Sequence, residues 1–465
     1  MIPRPVVEIA GAMGGVLASG DPGTIARGVA IDSREVRPGD LFFAIRGPRH
    51  DGHDFAAEAA ARGAAALVVE RPPAAHGSAA LIRVADTTAA LGALAADERR
   101  RRAGLLVVAI TGSAGKTTTR ELTGAALGAR LRVATARGNL NNQWGLPLTL
   151  LTLPEKIDAA VVELGMNHPG EIASLTRLAR PDIGVITNAG RAHIGFFADE
   201  REVARAKLEL FREMPAGAPG VVDGRPGPLA EALADLSPRR LVRFAIAGEA
   251  QDADLLAHDV NTDLTTGSAF TVDGVRVTLR LWGRHAVRNA LAALAAAREA
   301  GVPLEEASHR LAAVEPPPGR GRLIPLAGDV LLIDDTYNAN PEAVLAVLEA
   351  LRSSSRAGRR VAVLGDMREL GRRAPELHRS IGRAAAAAGL GLLVAVGEHS
   401  GDLADGARAG GLAEVRCYPT TESLLPEIGR LIADGDTVLL KASRALRFER
   451  LRDALAEARA AGVRR

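Results

Sequence analysis

Short apolar runs alternate with helix-like segments along most of this chain. In the middle of the sequence the runs are LLVVAIT (residues 105–111), AAVVE (159–163) and IGVIT (183–187), and after residue 316 the same alternation returns in VLLID, RVAVLG, LLVAVG and TVLLKA. This is the pattern of parallel sheets with crossover helices, so an α/β fold is expected. Asp273 and Gly274 separate two alternating segments and signal a hairpin. The helix-like HAVRNALAALAAAREA follows, and Pro316, Pro317, Pro318 and Gly319 then form a stiff break. The first hundred residues carry DSREVRPGDLFFAIRG, DGHDF and an alanine-rich stretch leading to AALVVE, which reads as a small separate α/β domain. The expected organisation is three domains, at 1–104, 105–315 and 316–465.

Length agrees, since 465 residues exceed what one hydrophobic core organises. A 47% hydrophobic and 24% charged composition excludes disorder and fibrous architectures. No apolar run approaches membrane-spanning length, and Glu8 interrupts what a secretory peptide would need, so a cytoplasmic protein is expected. The single cysteine, Cys417, rules out an internal disulfide. Net charge is only +3, aromatics are 3%, and the one dense basic run, Arg99 to Arg102, reads as a solvated helix end, so no nucleic-acid partner is expected. Of the 58 basic residues only Lys116, Lys156, Lys207 and Lys441 are lysines. An amine does chemistry that a guanidinium cannot, which makes those four worth attention.

Candidate chemistry begins at TGSAGKTT, residues 111–118, directly after an apolar strand and before a helix-like segment. Gly112, Ser113, Ala114 and Gly115 can turn backbone amides toward phosphates at a helix N-terminus. Lys116 can reach the terminal phosphates, and Thr117, followed by Thr118, offers a hydroxyl to Mg2+. The usual nucleotide-loop spacing wants glycine at position 110, where this chain has Ile110, so the loop is the shorter TGxxGKT variant. Glu163 closes the next apolar strand before LGMNHPGEI, at the sheet edge where ligands bind, and is a candidate Mg2+ partner, with a helix N-cap role as the alternative. His193 lies in the loop after another strand, as a metal or phosphate ligand or as a satisfied structural histidine.

Taken in order, TGSAGKTT, ELGMNHPGEI, the loop ending AHIG, Lys207 in EVARAKLELF, WGRHAVRNALAA, GRGRL and LLIDDTYNANP resemble the Mur ligases, ATP-dependent formers of peptide bonds in cell-wall synthesis, over nearly the whole chain. GNLNNQWGLPLTLL, DDTYNANPEA and GDMRELG with His378 bring it nearest to the branch that adds D-alanyl-D-alanine, and the diamino-acid-adding relative's DNPR-type motif is missing. One departure is KASR at 441–444, where the family usually has KGSR.

The resemblance implies a UDP-substrate-binding first domain, a central P-loop parallel-sheet ATPase domain and a Rossmann-like C-terminal domain that brings the dipeptide. It implies a monomer using ATP and two Mg2+ ions, with UDP-N-acetylmuramoyl-tripeptide and D-alanyl-D-alanine as partners and closure about hinges near Arg101 to Gly104 and Pro316 to Gly319. Residue by residue, Ser33 and Arg34 are candidates for the UDP moiety and Asn289 for adenine, while Arg322 and Asp335 form a pair reaching the nucleotide. Asn141, Asn142, Asn167, Asn338 and Asn340 are candidate substrate contacts, each with a turn or cap role as the alternative. Lys207 matches the family's modified lysine. A carbamate there would turn a cation into an anionic oxygen ligand, so that Thr117, Glu163, His193 and Lys207 hold the metal and, with Lys116, carry the chemistry. A nucleotide switch without a bonded product and a folylpolyglutamate-type ligase are the competing readings.

Overall fold

In the computed structural model, which describes residues 1–237 and 239–462, the alternation seen in the sequence resolves into sheets and helices at the expected places. Two compact units emerge. The first comprises Met1–Thr111, Arg130–Gly184 and Glu209–Pro219, and the second comprises Gly112–Ala129, Val185–Leu208 and Gly220–Arg465.

The first unit contains a five-stranded sheet ordered Val16–Ser19, Ala80–Arg83, Ala66–Val69, Asp40–Phe43, Gly28–Ala30, with the first strand antiparallel and the others parallel. ALVV at 66–69 is buried at every position, as a central parallel strand covered on both faces must be. Further along, Ala159–Glu163 pairs in parallel with Leu106–Thr111 on one side and Val133–Thr135 on the other, Val161 facing Val108 and Thr135.

The arginine run departs from expectation. Arg99 and Arg102 are not solvated. The Arg99 guanidinium donates to Ala179 O (3.0 Å), Arg102 O (3.1 Å) and Arg180 O (3.1 Å) and pairs with Asp182 at 3.0 Å. Arg102 pairs with buried Glu98 (3.0 Å) and donates to Leu153 O and Pro154 O. Both use the planar five-donor fork to satisfy carbonyls at the ends of neighbouring segments. Only Arg100 and Arg101 behave as the surface residues the sequence suggested, each paired with Asp97.

In the second unit, strands Gly220–Asp223, Leu241–Ile246 and Leu255–Asp263 run parallel before the sheet turns antiparallel through Gly267–Val272 and Val275–Leu279. Asp273 and Gly274 make that hairpin with φ of +47° and +78°, the two left-handed positions of a tight two-residue turn. Helix Arg284–Glu299 buries alanines and leucines nearly all round and packs on helix Lys116–Leu127.

A six-stranded sheet follows, ordered Arg322–Leu326, Val330–Asp334, Thr437–Lys441, Arg360–Gly365, Leu392–Val396, Val415–Tyr418, parallel except at its first edge. The last strand in sequence, Thr437–Lys441, is inserted between two earlier ones. Loops beginning at Asp335, Ala442 and Asp366 therefore leave the carboxyl ends of three neighbouring strands, where open α/β sheets bind ligands.

Candidate active site

Strand Leu106–Thr111 leads into Gly112–Gly115, and helix Lys116–Leu127 starts at once with Gly115 as its N-cap. Gly115 has φ +83°, and a Cβ there would stand 2.4 Å from Asn289 Oδ1, so both backbone conformation and close approach demand glycine. A Cβ on Gly112 would lie 1.9 Å from Thr187 Oγ1. Lys116 Nζ donates to Gly112 O at 2.6 Å, which holds the amine over the loop. The first N–H groups of the helix lack intrahelical acceptors and carry the positive end of its dipole, which makes this turn an anion site.

The loop owes its shape to a residue the sequence reading passed over. Asn188 Oδ1 accepts from Ala114 N (2.9 Å) and its Nδ2 donates to Ala114 O (3.0 Å), so one side chain satisfies both polar groups of a loop residue. Thr187 Oγ1 donates to the same carbonyl at 2.6 Å, and Gly190 N donates to Ser113 Oγ at 2.9 Å. Asn188→Ala is expected to raise the KM for ATP by roughly thirtyfold, two hydrogen bonds at about 1 kcal/mol each, with a smaller change in kcat. Steady-state kinetics check this, and an unchanged KM would mean the loop keeps its shape without Asn188.

Lys207 ends helix Glu200–Lys207, which Asp199 caps by accepting from Glu202 N at 2.9 Å. A helical lysine is ordinarily exposed, but Lys207 is 1% exposed. Burial drives its pKa well below the ordinary lysine value, Lys116 lowers it further, and Glu342 opposes both. Glu342 itself is a carboxylate the sequence did not single out. Its Oε1 accepts from Arg191 N at 2.7 Å, its Oε2 is buried without a hydrogen-bond partner, and burial raises its pKa.

His193 adopts a left-handed backbone (φ +62°), and its Nδ1 lies 2.5 Å from Glu369 Oε2. The adjacent His193 ring is the main cause holding the Glu369 carboxyl below its usual pKa, and Lys116 adds to it. Glu163 closes its strand fully buried, and its Oε2 accepts from Asn141 Nδ2 at 3.5 Å. Gly165 admits this arrangement, since a Cβ there would stand 2.8 Å from Asn141 Oδ1.

Several expected substrate contacts are engaged by the protein itself. Asn142 Oδ1 accepts from Trp144 N and Gly145 N (3.2 and 2.9 Å), which is a capping role. Asn340 caps helix Pro341–Arg352 through Ala343 N (2.9 Å) and donates from Nδ2 to Ser113 O (3.1 Å). Asn338 Oδ1 accepts from Ala339 N (2.9 Å), while Asn167 is exposed. Buried Ser33 donates to Glu58 at 2.8 Å, and exposed Arg34 forks onto Asp32 (2.9 and 2.6 Å).

The partner of Asp335 is Lys441, at 2.5 Å, whereas Arg322 is exposed at the start of its strand. A lysine–aspartate pair thus joins adjacent strands at this edge. Lys441 also donates to Asn338 O at 3.0 Å. Ala442, the departure from KGSR, is buried and has no positive φ, so alanine causes no backbone strain there. Asn289 is buried against the loop, and His285 is buried with its pKa pushed down to about 4 by desolvation, hence neutral. Arg320 lies over the Tyr337 ring at 4.2 Å, with Arg444 at 5.8 Å from the same ring.

Among the described residues no three His, Cys, Asp or Glu side chains form a ready metal cage. The Thr117 hydroxyl, His193 and a modified Lys207 nevertheless suit a hard cation that takes its remaining oxygens from nucleotide phosphates. Burial favours the neutral form of the Lys207 amine, which is the form that adds CO2, so the residues fit the group.

A glycine-cradled phosphate loop between a parallel strand and a helix, followed by a sheet with a ligand-binding edge, defines a P-loop nucleotide-dependent enzyme. Family models match three stretches: the Mur ligase family catalytic domain at residues 26–99, the Mur ligase middle domain at 110–297, and the Mur ligase glutamate ligase domain at 319–444. The UDP-N-acetylmuramoyl-tripeptide–D-alanyl-D-alanine ligase of Escherichia coli (strain K12) is 36% identical over 435 residues, 92% of this chain and 93% of that protein. A crystal structure of MurF from Acinetobacter baumannii superposes with a TM-score of 0.90 at 33% identity, covering 98% of this chain and 99% of that one. MurF ligase from Thermotoga maritima in complex with ADP gives 0.82 at 29% identity, covering 94% and 99%. The chain belongs to the Mur ligase family.

Proposed function

We infer that this protein joins D-alanyl-D-alanine to UDP-N-acetylmuramoyl-tripeptide at the expense of ATP. The products are UDP-N-acetylmuramoyl-pentapeptide, ADP and phosphate, and the reaction belongs to peptidoglycan precursor synthesis. The observation that carries this reading is an intact phosphate loop within a chain that spans 93% of the E. coli ligase of that name. The family models at 26–99, 110–297 and 319–444 support the division at 1–104, 105–315 and 316–465. No helix among the described residues is long and apolar enough to cross a membrane, and a cytoplasmic monomer fits substrates of this kind.

A carboxylate is a poor electrophile and oxide a poor leaving group. In the proposed reaction the tripeptide carboxylate takes the γ-phosphoryl group to give an acyl phosphate, the dipeptide amine attacks its carbonyl carbon, and phosphate leaves. The amides of residues 112–117 and Lys116 hold the phosphates and meet charge as it develops, the dominant contribution expected for phosphoryl transfer. Mg2+, when bound, offsets negative charge where two polyanions meet. Thr117, His193 and carbamylated Lys207 are the residues proposed to hold it. Asn289 lies against the loop where it can contact the base. Asp335 and Lys441 fix the carboxyl edge of the C-terminal sheet.

Phosphate release tests this reading. ATP and Mg2+ are supplied with UDP-muramoyl-tripeptide alone, with D-Ala-D-Ala alone, and with both. Release is expected to need both, and release independent of both would sink the ligase reading.

A further inference from the structure

Helix Pro341–Arg352 begins against the phosphate loop. Its cap, Asn340, donates to Ser113 O at 3.1 Å, and Ser113 Oγ in turn meets Gly190 at N (2.9 Å) and O (3.3 Å). Glu342, in the first turn of that helix, lies so close over Gly190 that a Cβ there would stand 2.5 Å from its Cγ and Cδ. A glutamate at such a position ordinarily serves its own helix by favouring the positive end of the dipole. This one reaches out instead, its Oε1 accepting at 2.7 Å from Arg191 N, 151 positions earlier in the chain.

Its other oxygen, Oε2, is covered and has no hydrogen-bond partner. Arg191 does not neutralise the carboxylate, since its Nε stands 3.7 Å from Glu342 Oε1 but 3.0 Å from Glu200 Oε1. Lys207 lies near enough to feel its charge. Leaving a buried acceptor unsatisfied costs about 1–3 kcal/mol, and groups of this kind collect where a ligand supplies the missing donor. The side chain as a whole is 27% exposed, so a ligand can approach it.

We propose that Glu342 is a catalytic residue for the second half of the reaction, holding the ammonium group of the incoming dipeptide at Oε2 and taking a proton from it, so that a neutral amine attacks the acyl phosphate. The role rests on the ligase reading given above. At neutral pH a peptide α-amine, with a pKa of about 7.7–8.0, is mostly ammonium and has no lone pair with which to attack. Once one proton has passed to Glu342, the nitrogen bonds to the carbonyl carbon, the bond from that carbon to the phosphoryl oxygen breaks, and phosphate leaves with the electron pair. The second proton, shed from the nitrogen as the adduct collapses, goes to the departing phosphate. Burial is the largest influence on the Glu342 carboxyl and raises its pKa, Arg191 opposes it, and Glu200 adds to the rise, which narrows the gap to the amine it must deprotonate.

Glu342→Gln tests this in the full-length protein, because it keeps an oxygen for Arg191 N and removes the base. Its kcat for ligation should fall about 10²- to 10⁴-fold, with little change in KM for ATP or UDP-muramoyl-tripeptide. Hydroxylamine, largely unprotonated at neutral pH, needs no base. Supplied in place of the dipeptide, it should trap the acyl phosphate as hydroxamate as fast in the variant as in wild type. Scrambling of 18O between the βγ-bridge and β-nonbridge positions of ATP, with tripeptide present and dipeptide omitted, should likewise be unchanged. Ligation undiminished in Glu342→Gln, or hydroxamate and scrambling lost in step with ligation, would overturn the proposal while leaving the ligase reading intact. A wild-type protein that forms neither hydroxamate nor pentapeptide would instead sink the ligase reading, and this role of Glu342 with it.

Discussion

Lys207→Arg is expected to lose ligation as fully as Lys207→Ala, by about 10²–10³-fold or more, the scale of removing one preorganised electrostatic group from a transition state. The side chain is buried, and desolvation and the nearby Lys116 ammonium both lower its pKa and so favour the neutral amine. Another fixed positive charge is the wrong sign there, and a guanidinium is both larger and permanently charged. A carbamate needs the neutral amine that burial provides. 13C-bicarbonate should therefore give a carbamate resonance that disappears in Lys207→Ala, and acetate should partly restore activity to the alanine variant by supplying oxygens. Full activity in Lys207→Arg would mean the position needs only a cation, and the carbamate would have to be dropped.

The same burial predicts a separation of stability from activity. Between the lowered native pKa of Lys207 and the ordinary unfolded value of about 10.4, the unfolded chain holds one proton more than the native one. This group's contribution in the unmodified protein therefore becomes more favourable as pH rises through that window. Lys207→Met should be inactive yet no less stable than wild type at neutral pH, and its stability should lack that slope.

What the sequence made legible was local. The phosphate loop showed itself because its glycines, lysine and threonine sit within eight residues, between a strand and a helix that announce themselves by composition. The Asp273–Gly274 turn was readable because its left-handed positions have few tolerant residues. Asn188 was not readable, since IGVITNAG looks like any strand running into a turn, and only tertiary packing brings its amide to Ala114. Glu369 was visible merely as part of a family mark, and its partner is 176 positions earlier in the chain. The partner of Asp335 was unreadable for a related reason. The insertion of Thr437–Lys441 beside Val330–Asp334 is a fact of strand order, and strand order delivers Lys441 to Asp335.

The arginine run carries the largest stability effect expected of a surface-looking residue. Arg99→Ala strips donors from the carbonyls of Ala179, Arg180 and Arg102 and leaves Asp182 without its partner, which should destabilise the first unit by about 3 kcal/mol. Arg100→Ala, next in sequence but half exposed and paired with Asp97 only at 3.4 Å, should cost less than about 0.5 kcal/mol. Arg99→Lys keeps the charge but replaces a fork with a point, so it should fall between them. The two tryptophans allow a clean measurement, because Trp144 lies in the first unit and Trp282 in the second. In a Trp282→Phe background, urea unfolding followed by fluorescence reports on the first unit alone. The outcome also bears on where the molecule bends. Arg99 and Arg102 tie down the helix end beside the expected hinge at Arg101 to Gly104, so bending there would have to break their hydrogen bonds. Equal stability of the Arg99 and Arg100 variants would show that the helix end is free, and the first hinge would return.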